Sequence, residues 1–316
     1  MNVIFSFFNS LPGAFGQGLA WGIMAIGVYI TYRILDIADL TVDGSLATGG
    51  AVCAVCIGLG MNPWLAMLLA VLAGMLSGLV TGIFHTVCGI PAILSGILTQ
   101  LALYSLNLRI MGIGTDSATR ATVALSVDNH NLLLSSRFVR ALDINNPLIL
   151  LAIVVAVVIG LLYWFFGTEM GSSLRATGAN GNMARAQGIN TNSGKVLALA
   201  VSNGLVAMSG ALLAQYQGSA TIDMGRGAIV IGLAAVIIGE VLLDKYFRNF
   251  ALKLVSVVIG AIIYYVVITL VLRMGLESTD LKLLTALVVA VFLTVPYLTG
   301  KRKAKQKARR GGIGHA

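Results

Sequence analysis

Nine apolar stretches, each long enough to cross a bilayer as helix, take up most of this chain: residues 13–32, 44–59, 63–87, 91–111, 147–166, 195–217, 225–243, 250–273 and 282–298. About 20 apolar residues of helix span the ~30 Å hydrocarbon core. Inside that core only helices and closed barrels satisfy every backbone polar group. Charged residues make up 10% of the chain, against about 25% in soluble domains. The fold class expected is therefore all-α: a polytopic helical membrane protein of about nine transmembrane helices. The second and seventh stretches are short and glycine-rich, which predicts broken or partly re-entrant segments. Residues 1–13 lack a basic n-region and run on into a full span, so a cleaved secretory signal is not expected.

The net charge is +9, and seven of the basic residues (Lys301, Arg302, Lys303, Lys305, Lys307, Arg309 and Arg310) crowd into the tail. A cluster directly after a span fixes topology and touches anionic lipid, so membrane lipid is the expected partner and nucleic acid is not. The chain divides into a membrane domain, residues 1–300, and a basic cytoplasmic tail, 301–316. With loop 167–194 and the tail placed in the cytoplasm, 14 basic residues lie inside and 7 outside, the sign that the positive-inside rule requires. Nine spans then put the N-terminus outside, together with the long loop 112–146, which carries Asp116, Asp128, His130 and Asp143.

The segment 167–188 is polar, glycine-punctuated and too charged to enter lipid, since Arg175 and Arg185 would each cost several kcal/mol at bilayer depth. Ala176, Ala179, Met183 and Ala184 recur at nearly helical spacing. The pattern predicts short helices lying on a partner, with arginines available to pair with its carboxylates.

An internal echo accompanies the two glycine-rich spans. Leu40-Thr-Val-Asp-Gly44 precedes the second and Ala220-Thr-Ile-Asp-Met-Gly225 the seventh, on opposite sides of the membrane in this topology. Similar segments in opposite orientation predict an inverted repeat with a transport path at its interface. The candidate pathway residues are Asp43, Gly44, Gly49, Gly50, Gln100, Asn203, Asp223, Gly225 and Gly227. Asp43 and Asp223 each stand just before a span, where a carboxylate caps a helix N-terminus. Gln100 and Asn203 suit interhelical hydrogen bonds or solute contact. Glu240 is expected to pair with Lys245.

No catalytic constellation stands out. Gly194-Lys195 lacks the upstream glycines of a phosphate-binding loop, and His85, His130 and His315 are far apart in sequence. Cys53 and Cys56 lie among apolar residues without a second ligand pair and read as small hydrophobes. No cofactor, metal or enzymatic activity is expected, and any ATP hydrolysis belongs to another chain.

Together, segments 33–51, 89–112, 174–180, 186–189, 225–240 and 281–286 resemble permease subunits of bacterial ABC importers of the branched-chain amino acid and ribose type. Within that group the chain looks closest to permeases for tryptophan or tyrosine uptake. The resemblance implies a multi-pass protein of the bacterial plasma membrane that translocates a small solute, an amino acid of aromatic type. Its partners would be an ATP-binding subunit, an extracytoplasmic solute-binding protein and a second permease copy, identical or similar. It also implies that Leu174, Arg175, Gly178, Asn180, Arg185, Ala186 and Gly188 form the loop that docks on the ATP-binding subunit. The extra N-terminal span of the sugar permeases is missing. An ATP-independent transporter or channel with the same repeat would explain the spans but not the docking loop.

Overall fold

A computed structural model describes residues 2–114, 118–125, 132–136, 146–243 and 249–273, with isolated helical positions between 283 and 294. Among these residues eight helices are long and apolar enough to cross a membrane. They are α1 (Asn2–Tyr29, continued by a π-helical turn, Ile30–Ile34), α2 (Thr41–Gly58), α3 (Pro63–Thr86), α4 (Ala92–Gly112), α5 (Pro147–Gly167), α8 (Thr191–Gln217), α9 (Ala228–Leu243, which reaches spanning length together with the preceding turn from Ile222) and α10 (Phe250–Arg273). Two short helices, α6 (Glu169–Ala179) and α7 (Gly181–Ala186), fill the connection between α5 and α8. Apart from those isolated positions the ninth expected span lies outside the described residues, as do the basic tail and Asp116, Asp128, His130 and Asp143.

Local chemistry sets several boundaries. Asn62 and Asn146 cap α3 and α5 by accepting from Trp64 N and Leu148 N at 3.0 Å each, and each cap is followed by proline at the first helical position. The second span is not broken internally: α2 is continuous from Thr41. The interruption falls before it, between Leu35 and Leu40, where Asp36 adopts φ 55°. The seventh span does break, at Gly227, whose φ of 82° separates a 3-10 turn (Ile222–Gly225) from α9. A residue with a Cβ is strained in that conformation.

The interior is organised around α8. In lipid there is little hydrophobic drive between helices, so small residues that admit close backbone approach do much of the work. A Cβ at Gly78 would overlap the Leu199 carbonyl, and one at Gly49 the Ala207 carbonyl. Ser202 and Ser209 on α8 donate to the carbonyls of Gly27 and Ala20 on α1 at 2.8 Å. These contacts fix directions: α8 runs with α2 and against α1 and α3, while α10 runs against both α1 and α9.

The outer faces are apolar too. On α5, Leu151, Val155, Val158 and Leu162 are buried while Ile153, Val157 and Leu161 are exposed. A helix apolar on every side belongs in lipid. The α6–α7 connection and the loop after α4 lie at opposite ends of the bundle. At the latter end a strand, β1 (Thr122–Ala124), pairs antiparallel with β2 (Ser219–Thr221), Val123 opposite Ala220. The start of α1 is at that end as well, since Tyr216 donates to the Gly13 carbonyl at 3.3 Å.

Candidate functional site

Two chain interruptions meet inside the bundle. The first, between α1 and α2, carries Asp39, a fully buried carboxylate. One oxygen accepts from Thr41 N at 2.9 Å, capping α2, and the other from Asn203 Nδ2 on α8 at 2.7 Å. Burial pushes the Asp39 carboxyl up, opposed by the hydrogen bonds from Thr41 and Asn203. Asn203 Oδ1 accepts from Ser45 Oγ at 2.6 Å, and Ser45 meets Ser77 Oγ at 2.6 Å. A parallel chain of hydroxyls joins Thr41 to Thr81 at 2.7 Å and Thr81 to Thr99 at 2.8 Å. Four helices are thus tied by polar groups that find partners inside the protein, as groups withdrawn from water must.

The second interruption descends from β2. The turn Ile222–Gly225 runs along α2 so closely that a Cβ at Gly225 would overlap the Asp43 carbonyl, and Met224 Sδ occupies the space beside Gly50. Asp43 does not cap its own helix. Its carboxylate accepts from Gly227 N and Ile229 N, both at 2.9 Å, and so caps α9. Its negative charge faces the positive end of the α9 dipole. Asp223 does not cap α9 either, because its carboxylate pairs with Arg226 Nε at 2.9 Å. The two echo segments therefore run in opposite directions and touch.

Between α2, α4 and this turn lies a cavity of about 220 Å³, lined by Asp43, Gly44, Gln100, Tyr104, Asn107 and Arg226 among others. The Arg226 guanidinium stands 6.0 Å from the centre of the Tyr104 ring. Gln100, Tyr104 and Asn107 follow helical spacing, a polar stripe on an otherwise apolar span. That spacing was the available signal for Tyr104 and Asn107, which sequence reasoning missed along with Asp39 and Arg226.

At one end of the bundle, α6 and α7 form the platform. Leu174 is buried, and a Cβ at Gly178 would overlap the Ile34 carbonyl at the end of the π turn. Asn180 caps α7 through Asn182 N and Met183 N. The arginines are engaged within the chain: Arg175 Nη2 donates to the Phe166 carbonyl at 2.7 Å and Arg185 Nε to Thr191 Oγ1 at 2.8 Å. Met183, Arg185, Ala186 and Gly188 remain exposed. Beside the platform Glu240 pairs with Arg33 at 2.9 Å, because the end of α9 packs near the end of α1; the expected partner Lys245 lies outside the described residues.

No group of three or more potential metal ligands occurs among the described residues, and Cys53, Cys56 and Cys88 are free thiols. Cys53 accepts from Gln215 Nε2 at 3.3 Å inside the bundle, which fits a packing role.

Residues 11–295 match the family described as the permease component of the branched-chain amino acid transport system. The chain belongs to this family. It is 40% identical to the tyrosine transport system permease protein of Clostridioides difficile over 277 residues, 88% of each chain. It is 25% identical to the ribose import permease protein RbsC of Escherichia coli over 231 residues, covering 73% of this chain and 69% of that protein. Among solved structures, PsaBC from Streptococcus pneumoniae in complex with Fab shares the fold, with a TM-score of 0.52 at 17% identity over 92% of this chain and 94% of that one. This permease is accordingly a multi-pass integral membrane protein and the membrane component of a transport system.

Proposed function

We propose that this permease is the transmembrane subunit of an ATP-driven importer for a small solute, an amino acid of aromatic type. The solute reaches it on an extracytoplasmic binding protein, and a second permease copy and a pair of ATP-binding subunits complete the transporter. The amino acid assignment is supported by the 40% identity to a tyrosine transport system permease. The echo segments around Asp43 and Asp223 are the core of an inverted repeat, with the solute path beside their junction.

The observation that carries the proposal is the seating of the platform. Its helix α6 rests on the Ile34 carbonyl through Gly178 and hangs from the end of α5 through Arg175, while α7 presents Met183 and Ala186 outward. A short exposed helix wedged against the ends of spanning helices is suited to receive force from a soluble partner and pass it on. Leu174, Gly178, Arg175 and Asn180 hold the platform in shape, and Arg185, Ala186 and Gly188 lie on or beside its outer surface.

Co-purification and transport test this. The ATP-binding subunit of the same transport system should co-purify with this permease, and proteoliposomes holding both, supplied with the binding protein, should take up L-tyrosine only with ATP. Met183→Glu, on the exposed face of α7, should release the ATP-binding subunit while leaving the unfolding temperature of the permease unchanged. Uptake that proceeds without ATP, or a Met183→Glu variant with full retention and full uptake, would instead favour an ATP-independent transporter.

A further inference from the structure

We infer that the cavity beside Tyr104 is a subsite for a zwitterionic amino acid, with Arg226 taking the carboxylate and Asn107 the ammonium group. The inference rests on the reading of the Asp43 junction as the edge of the solute path, and it adds the chemistry of what binds there.

The first observation is an exposed ion pair at an unexpected depth. The side chains of Arg226 and Asp223 are 58% and 57% exposed in the protomer. Yet Arg226 lies over Tyr104, eight residues before the end of α4, which is about 12 Å along a helix axis. Charges at such depth are not left facing lipid; they border a water-filled path or another protein surface. The face formed by α4 and the Ile222–Gly225 turn is therefore wet or covered.

The second observation is independent of the first. Asn107 is 1% exposed, and its Oδ1 has no hydrogen-bond partner among the described residues, although it lines the same cavity as Arg226. A buried acceptor without a donor costs stability. Such a group is retained when a ligand supplies the donor, and an ammonium supplies three.

The remaining lining selects among ligands. Asp43 is occupied by the amides of Gly227 and Ile229, so it is not a free counter-charge for a cation. Arg226 uses Nε for Asp223, which leaves its terminal nitrogens for a second carboxylate. A neutral sugar gains little from that full positive charge, and a simple cation is repelled by it. The volume of about 220 Å³ is below the ~300–1,000 Å³ typical of drug-sized sites and suits one small metabolite. The Tyr104 ring offers an aromatic wall for its side chain.

Thermal unfolding of the purified full-length permease, without ATP or binding protein, tests the subsite. L-phenylalanine serves as the soluble probe, phenethylamine lacks the carboxylate, 3-phenylpropanoate lacks the ammonium, and D-ribose is the control. L-phenylalanine should raise the unfolding temperature in a saturable manner, and the two truncated probes should need at least tenfold more. Arg226→Gln should weaken the response at least tenfold and Arg226→Lys should restore most of it. Asn107→Leu should abolish the response yet leave the empty protein at least as stable as before, a combination that a purely structural Asn107 would not give. A response unchanged in both Arg226→Gln and Asn107→Leu, or a response to D-ribose alone, or none to any amino acid, overturns the subsite. In the assembled transporter, loss of ATP-driven uptake with intact amino acid binding would count against the importer reading and leave the subsite standing. Normal uptake kinetics in both variants would do the reverse.

Discussion

The Asp43 carboxylate lies 2.9 Å from both Gly227 N and Ile229 N, so a residue in the first turn of α2 caps a helix that begins far along the chain, at Ala228. Removing an N-cap costs about 0.5–2 kcal/mol, and here the orphaned amides are partly buried. Asp43→Ala should lower the unfolding temperature clearly, whereas Asp43→Asn, which keeps an acceptor oxygen, should lower it less. Equal losses in the two variants, read by thermal unfolding of the purified protein, would mean that the cap contributes nothing.

Gly49 and Gly58 stand on the same helix in opposite surroundings. A Cβ at Gly49 would overlap the Ala207 carbonyl, while one at Gly58 meets nothing within 4 Å. Gly49→Ala should therefore destabilise by about 1–3 kcal/mol through overpacking, and Gly58→Ala should stay within about 0.5 kcal/mol of the parent. Gly49→Leu should prevent assembly of α2 on α8. Unfolding curves and yields of the three variants decide the matter.

Asn203 serves two buried neighbours, donating to Asp39 and accepting from Ser45. Asn203→Leu leaves the facing Asp39 oxygen without its donor, at a cost of about 1–3 kcal/mol, while Ser45 keeps Ser77 as a partner. Asp39→Ala and Asn203→Leu should be non-additive by more than about 0.5 kcal/mol, because they share one bond. Strict additivity in a double-mutant cycle would show that the Asp39–Asn203 contact carries no energy.

The platform and the β1 end of the bundle should face opposite compartments, the platform inside. With Cys53, Cys56 and Cys88 replaced, an impermeant thiol reagent applied to intact cells should label Thr119→Cys and not Ser172→Cys. Both positions border described, exposed segments at opposite ends of the bundle. The reverse pattern would invert the orientation that the basic residues imply.

Much of the fold could be read locally. Apolar length located the spans, and Asn-Pro pairs at 62–63 and 146–147 marked where α3 and α5 begin. The platform helices followed from their own spacing. The junction was legible only in part: the echo located Asp43 and Gly225 but not their relation. A carboxylate before a span suggests a cap, but which helix it caps depends on packing between elements far apart in the chain. For the same reason the pairing of Glu240 with Arg33, from the far end of the chain, had no local signal. Asp39 escaped notice because nothing in its neighbours foretells that Asn203 will come within 2.7 Å of it.

The helix α9 is pinned at both ends by charge, to Asp43 at its start and to Arg33 through Glu240 near its finish. Sixteen residues of helix make a rod of about 24 Å. Arg33 neighbours Ile34, the residue on which Gly178 of the platform rests. A shove on the platform thus meets a strut whose far tip is held by Asp43, a residue that lines the cavity beside Tyr104. Such a linkage can alter the cavity by rigid tilting alone, without melting or rewinding any helix. Its weak joint is Gly227, where a change of a few backbone degrees would separate the rod from the re-entrant turn that bears Arg226.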